Sequence, residues 1–241
     1  MTTRHMYVRG AVLCAAAGAM LMLGVANGFA PSQAVAAEDK EGVRDILFDT
    51  PQLNLVSAGE TLKYNFSRDA SAPKLLGPNF TDEIKVDVAK ASEDGKRDVD
   101  VQIFSGDRGR DVRHLSGMTA NPVLVFYLDR AVSNFALLGG GSKGYLKNRF
   151  RLALRTTAKI EPAKLQYNGK TVDGHHVWVT PYANDPSKEK MSGYEKARFD
   201  VFVSDEVPGY LVELKSHFES PQPGAPKLNE RIVLDGVGVE K

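Results

Sequence analysis

VLVFYLDRAVSNFALLGGGSKGYLKNRFRLALRTT, residues 123–157, is the stretch on which the fold turns. Its first six residues (123–128) are continuously apolar. A short apolar run bounded by turn signals predicts a strand buried on both faces, which some other element must then cover. The next residues supply that element: Asp129 can act as an N-cap, and residues 130–138 read as a helix. Gly139, Gly140 and Gly141 interrupt it. Ser142 can cap a second helix running to about Thr157, because Tyr145, Leu146, Phe150, Ala153 and Leu154 recur at helical spacing.

On either side of this helical stretch the pattern is β. In residues 61–67, Leu62, Tyr64 and Phe66 alternate with Thr61, Lys63 and Asn65, a period of two that predicts a strand buried on one face. Residues 80–88 repeat it through Ile84, Val86 and Val88. A turn at residues 93–96 and a return through Val99, Val101 and Ile103 complete a hairpin, since Asp-Gly tolerates the positive φ of tight turns. Residues 106–121 read as a polar loop. Beyond the helices, residues 165–172 and 176–182 suggest a hairpin around Asp173-Gly174. Residues 197–203 and 210–218 suggest a second, turning at Pro208-Gly209, with a last strand at residues 232–234.

The sum is about nine strands and one helical insertion near the middle. That predicts a mainly β (α+β) fold, a large curved antiparallel sheet that is half-barrel or sandwich-like, with helices against one side. Such a layout resembles, at the level of fold, the half-barrel carriers of the lipoprotein-sorting pathway. The resemblance implies an apolar ligand on the concave face and transfers no individual residue.

The start of the chain predicts the compartment. Arg4 and Arg9 precede an uncharged apolar run at residues 11–26, followed by Ala34-Val35-Ala36 as a small-residue cleavage site. Residues 1–36 therefore read as an export signal, and residues 37–241 as a single β-rich periplasmic domain. Cys14, the one cysteine, leaves with the signal, which excludes disulfides, thiol catalysis and thiolate metal sites. No second long apolar run predicts a membrane span. With Arg4 and Arg9 gone, 29 basic residues face 30 acidic ones, a balance that argues against nucleic-acid binding.

Chemical motifs are sparse. Gly139, Gly141 and Gly144 satisfy G-x-G-x-x-G, but a helix rather than a strand is expected before them. Gly169-Lys170-Thr171 ends like a phosphate loop, yet Lys164 stands where the first glycine belongs. His175 and His176 point to opposite faces if they lie on a strand. No G-x-S-x-G elbow occurs. These readings predict no cofactor, no metal and no catalytic residue. A hydrolase would need His176 or His217 to meet a serine and a carboxylate in one cleft.

The positive feature is the second helix, where Lys147, Arg149, Arg151 and Arg155 occur with no Asp or Glu between residues 143 and 159. Lys147, Arg151 and Arg155 fall at i, i+4 and i+8, on one face. A basic stripe opposite an apolar face suits an anionic lipid or an acidic partner. The expected function is non-enzymatic: binding a lipid-like ligand or an envelope protein. The alternative is a protein–protein assembly module of the periplasm.

Overall fold

The computed structural model describes residues 42–237, so the predicted signal and its cleavage site lie outside the described residues. Nine antiparallel strands form one curved sheet that does not close into a barrel. They are β1 (Thr61–Ala70), β2 (Phe80–Ala91), β3 (Arg97–Ile103), β4 (Arg113–Met118), β5 (Lys159–Tyr167), β6 (Lys170–Val179), β7 (Arg198–Val203), β8 (Leu211–Phe218) and β9 (Leu228–Leu234). The spatial order is β4-β3-β2-β1-β9-β8-β7-β6-β5. The chain thus starts in the middle of the sheet, meanders to one edge, crosses to the other, and returns to pair β9 with β1. A single turn, α1 (Pro73–Leu76), links β1 to β2. The crossing is made by α2 (Pro122–Gly139) and α3 (Lys143–Thr156), which meet at a bend of 120°.

Alternation explains which face each strand buries. In β1, Leu62, Tyr64, Phe66, Arg68 and Ala70 turn inward. Val99, Val101 and Ile103 do so in β3, and Phe199, Val201 and Val203 in β7. Register shifts in the β2–β3, β3–β4 and β7–β8 pairings mark bulges, which bend strands and increase twist. The turn at Pro208-Gly209 forms as read, with Gly209 at φ 75° and Tyr210 N–H donating to the Val207 carbonyl at 3.1 Å.

The structure corrects three readings. Residues 123–128 are not a strand but the first turns of α2. Asn121 caps that helix, its side-chain oxygen accepting from Val123 N–H at 3.1 Å, and Pro122 takes the first helical position, where its missing N–H loses nothing. Asp129 consequently lies mid-helix rather than at a cap. Val123, Leu124, Tyr127, Ala131, Val132 and Phe135 are buried along the helix, a face wide enough to hide its helical period within an apolar run.

The missing strand comes from the supposed polar loop, where residues 113–118 form β4. It is an edge strand with no fully buried residue, so it carries no hydrophobic alternation to read. Third, Asp173-Gly174 is not a turn but lies inside β6. The β5–β6 hairpin turns at Asn168-Gly169, both at positive φ (49° and 75°). Gly174 is required for another reason: a Cβ there would collide with the Val203 carbonyl oxygen of β7.

α2 packs against the buried face of the sheet. Two polar hubs fix it there. Asn121, fully buried, donates to the Tyr64 hydroxyl (2.7 Å) and the Gly209 carbonyl (2.8 Å), and its N–H reaches Gln52 (2.8 Å). Burial holds the Tyr64 phenol well above its ordinary pKa, against the opposing pull of the Asn121 bond. Further along, Glu230 of β9 is clasped by Arg68 of β1 and by Arg130 and Asn134 of α2 (Arg130 Nε 2.9 Å, Asn134 Nδ2 2.8 Å). The Arg130 guanidinium also lies 4.9 Å over the Phe66 ring.

Candidate functional site

Between these elements and solvent lies a groove with an apolar floor and a basic rim. Its far wall is a π-helical turn, Asp45–Asp49, anchored by buried Ile46 and Leu47 but leaving Phe48 44% exposed. α3 supplies the near wall. Ser142 caps it, Oγ accepting from Tyr145 N–H at 3.3 Å, as the sequence predicts. Its apolar face buries Leu146, Phe150, Ala153 and Leu154.

The groove consists of two joined clefts of about 260 Å3 each. The first is floored by Val125, Leu128, Val132 and Phe150, with Lys147 and Arg151 at its rim. The second is floored by Val43, with Arg44, Arg151 and Arg155 around it. Phe48, Arg151 and Leu154 belong to both, which makes them continuous.

Lys147, Arg151 and Arg155 therefore line one groove, as their spacing requires. Arg149 does not join them. It turns to the loop before β7, where its Nε donates to Asp185 at 2.6 Å. Tyr145 hydroxyl and Ser187 N–H, each at 2.7 Å, complete the shell around that buried carboxylate. Burial pushes the Asp185 carboxyl upward, but these hydrogen bonds from Ser187, Tyr145 and Arg149 prevail and hold it below the usual carboxylate range.

Within the rim, Lys147 pairs with Asp129 at 2.7 Å. That hydrogen bond holds the Asp129 carboxyl below its ordinary pKa against partial burial, and Lys143 and Arg110 add to the pull. Arg44 pairs with Asp49 at 3.0 Å. The Arg151 side chain makes no ion pair or hydrogen bond among the described residues. The sequence reading found the cations of this site and the α3 side of its apolar lining, Phe150 and Leu154, but not the rest. Phe48 lies in a stretch to which the pattern assigns no element, and Val125 inside the segment read as a strand.

Two larger hollows, about 540 and 530 Å3, are open troughs beside residues 235–237, walled by strand-face residues such as Asn65, Ser67 and Lys63. No group of three or more metal-ligating side chains occurs among the described residues.

The histidines separate as follows. His176 lies between Glu161 (2.8 Å) and Asp200 (2.7 Å), stacked on Phe202, with no serine in its hydrogen bonds. His217 meets Asn229 and Glu219. The histidine that does join a serine and a carboxylate is His114, which neither spacing nor motif singled out. Its Nδ1 is 2.9 Å from Asp100 and its Nε2 3.2 Å from Ser116 Oγ. The order is that of a proton relay. All three side chains lie exposed on β3 and the edge strand β4. The adjacent Gly117 N–H is already given to Asp98 (2.9 Å) rather than aimed at a developing oxyanion.

No family model and no curated protein matches the sequence. Solved structures do. A chain of the Pseudomonas aeruginosa MucA/MucB complex matches at 14% identity and TM-score 0.36, over 81% of this chain and 56% of that one. The Mycobacterium tuberculosis lipoprotein LppX matches at 10% identity and TM-score 0.25, over 75% and 87%. A LolA superfamily protein from Nitrosomonas europaea matches at 13% identity and TM-score 0.19, over 83% and 94%. This chain spans little more than half the length of the first of these.

Proposed function

We propose that this is a non-catalytic binding protein of the bacterial cell envelope, exported to the periplasm, and that its contact site is the groove along α3. The partner is an amphipathic, lipid-like molecule carrying negative charge. One observation carries the reading: the apolar floor of Val125, Leu128 and Phe150 is rimmed by Lys147, Arg151 and Arg155, and Arg151 has its charge unspent within the fold. Exposed apolar side chains bordered by cations match the two ends of such a ligand.

The concave face of the sheet is a poorer site. Tyr64, Ile84, Val123, Phe135 and Leu214 are wholly covered, which leaves no room between α2 and the sheet for a guest.

The reading is tested by titrating the protein with a fluorescent anionic acyl probe. Saturable binding in the micromolar range is expected, weakened about tenfold or more by Arg151→Glu, since each cation near an anionic group contributes roughly 1 kcal/mol and the reversal also adds repulsion. Absence of binding at high micromolar probe, or equal affinity in the variant, would overturn it.

A further inference from the structure

We infer that the groove seats on the surface of an anionic lipid bilayer instead of enclosing a single lipid. Phe48 and Val125 then enter the acyl boundary, and Lys147, Arg151 and Arg155 meet the headgroups. This deepens the proposed function and rests on it.

Depth comes first. The groove is two small clefts of about 260 Å3 each, side by side and sharing Phe48, Arg151 and Leu154, rather than one enclosed cavity of the kind that buries most of a ligand's surface. The sheet's interior offers no alternative, because α2 occupies it.

Protrusion comes second. Phe48 on the far wall is 44% exposed, and Val125 of α2, at the open edge of the floor, is 65% exposed. Side chains that stand out from a surface are placed to enter another medium, whereas those of an enclosing pocket turn inward.

Charge comes third. Arg44, Lys147, Arg151 and Arg155 face only Asp49 and Asp129 as counter-charges in this rim. α3 itself carries no acidic residue over its 14 residues, about 21 Å of helix lying along the surface. Apolar anchors edged by an excess of cations, here Arg151 and Arg155 beyond the two paired ones, are the pattern of interfacial membrane contact, in which burial and attraction to anionic lipid act together.

The test is co-sedimentation of the full chain with phosphatidylcholine vesicles, with and without phosphatidylglycerol. Wild type is compared with Phe48→Ser and with the double variant Arg151→Glu/Arg155→Glu. These side chains are exposed, so all forms should unfold at the same temperature. Any contribution of residues 1–41 is common to all of them. Binding to phosphatidylglycerol vesicles is expected to fall about tenfold or more in the double variant, and clearly in Phe48→Ser. It should also weaken as salt rises toward ~1 M and the screening length shrinks to ~3 Å.

Equal partition of wild type onto both vesicle types overturns the inference, as does unchanged binding in both variants. If the acyl probe saturates the groove while vesicles leave the protein in solution, the binding-protein reading stands and bilayer docking falls. If neither binds, both fall. A concentration-dependent dimer abolished by Phe48→Ser would make the groove a contact between copies, and a soluble acidic amphipathic peptide held where vesicles are ignored would make it a protein site. Either result overturns bilayer docking.

Discussion

α2 and α3 follow one another in the chain, each begins at a side-chain cap, and they meet at a sharp bend. Their sequences were nevertheless read with opposite success. α3 has one dry face and one wet face, so its period of 3.6 is written in alternating Leu, Phe, Lys and Arg. α2 is packed against the sheet and starts with six apolar residues, so its period is hidden. The difference extends to energetics. Polar residues of α2 point into the fold and hold it together, as Arg130 and Asn134 do on Glu230. Most polar residues of α3 point outward. Arg149 and Tyr145, which bond buried Asp185, are the exceptions.

That contrast can be broken by mutation, and the expected effects descend from one helix to the other. Glu230→Ala should destabilise most, by about 3–5 kcal/mol in urea unfolding, because it strands Arg68 and Arg130 without a counter-charge. A loss under 1 kcal/mol would show that α2 is not clamped this way.

Asn121→Ala removes the cap of α2 and the partners of Tyr64 and Gly209. About 2–3 kcal/mol is expected, and a thermal melt matching wild type would contradict it.

On α3, Arg149→Ala should lower stability by about 1.5–2 kcal/mol through Asp185, while Arg151→Ala should stay within about 0.5 kcal/mol. Equal losses in the two would erase the distinction between an inward and an outward cation on the same helix.

The smallest effect is in pH. Because the folded state holds Asp185 and Asp82 below the ordinary carboxylate range, it binds their protons less readily than the unfolded chain does. Their stabilisation is complete above the unfolded value near ~4 and drains as pH falls through the lower folded values. Asp185→Asn should flatten the acid limb of a stability–pH curve, and an unchanged limb would remove Asp185 from that account.

How much of this was legible follows from where solvent lies. β1, β2, β3 and β7 have one wet face, and their alternation predicted them. β4 has no fully buried residue and the first turns of α2 show little wet side, so the hydrophobic pattern placed neither, whereas residues 130–138 of α2 were read as the helix they form. The count of nine strands agreed because one false strand in α2 stood in for the overlooked β4. α2 left a local sign all the same in Asn121-Pro122, a cap followed by proline at the first helical position. For the site, a spacing of four put Lys147, Arg151 and Arg155 on one face. The same spacing turns Arg149, two residues from Lys147 and from Arg151, away from that face, whereas only tertiary structure could bring Phe48, some 100 residues earlier, against it.

The pairing of β9 with β1 joins two strands that the other seven separate in sequence among the described residues. A chain stopped before residue 228 would carry two half-sheets, each ending in a raw edge, β1 on one and β8 on the other. The wings can assemble from neighbours in sequence, but the central seam waits for β9, and pairing so distant in sequence is slow. The seam is therefore the step that turns two separate meanders into one continuous sheet.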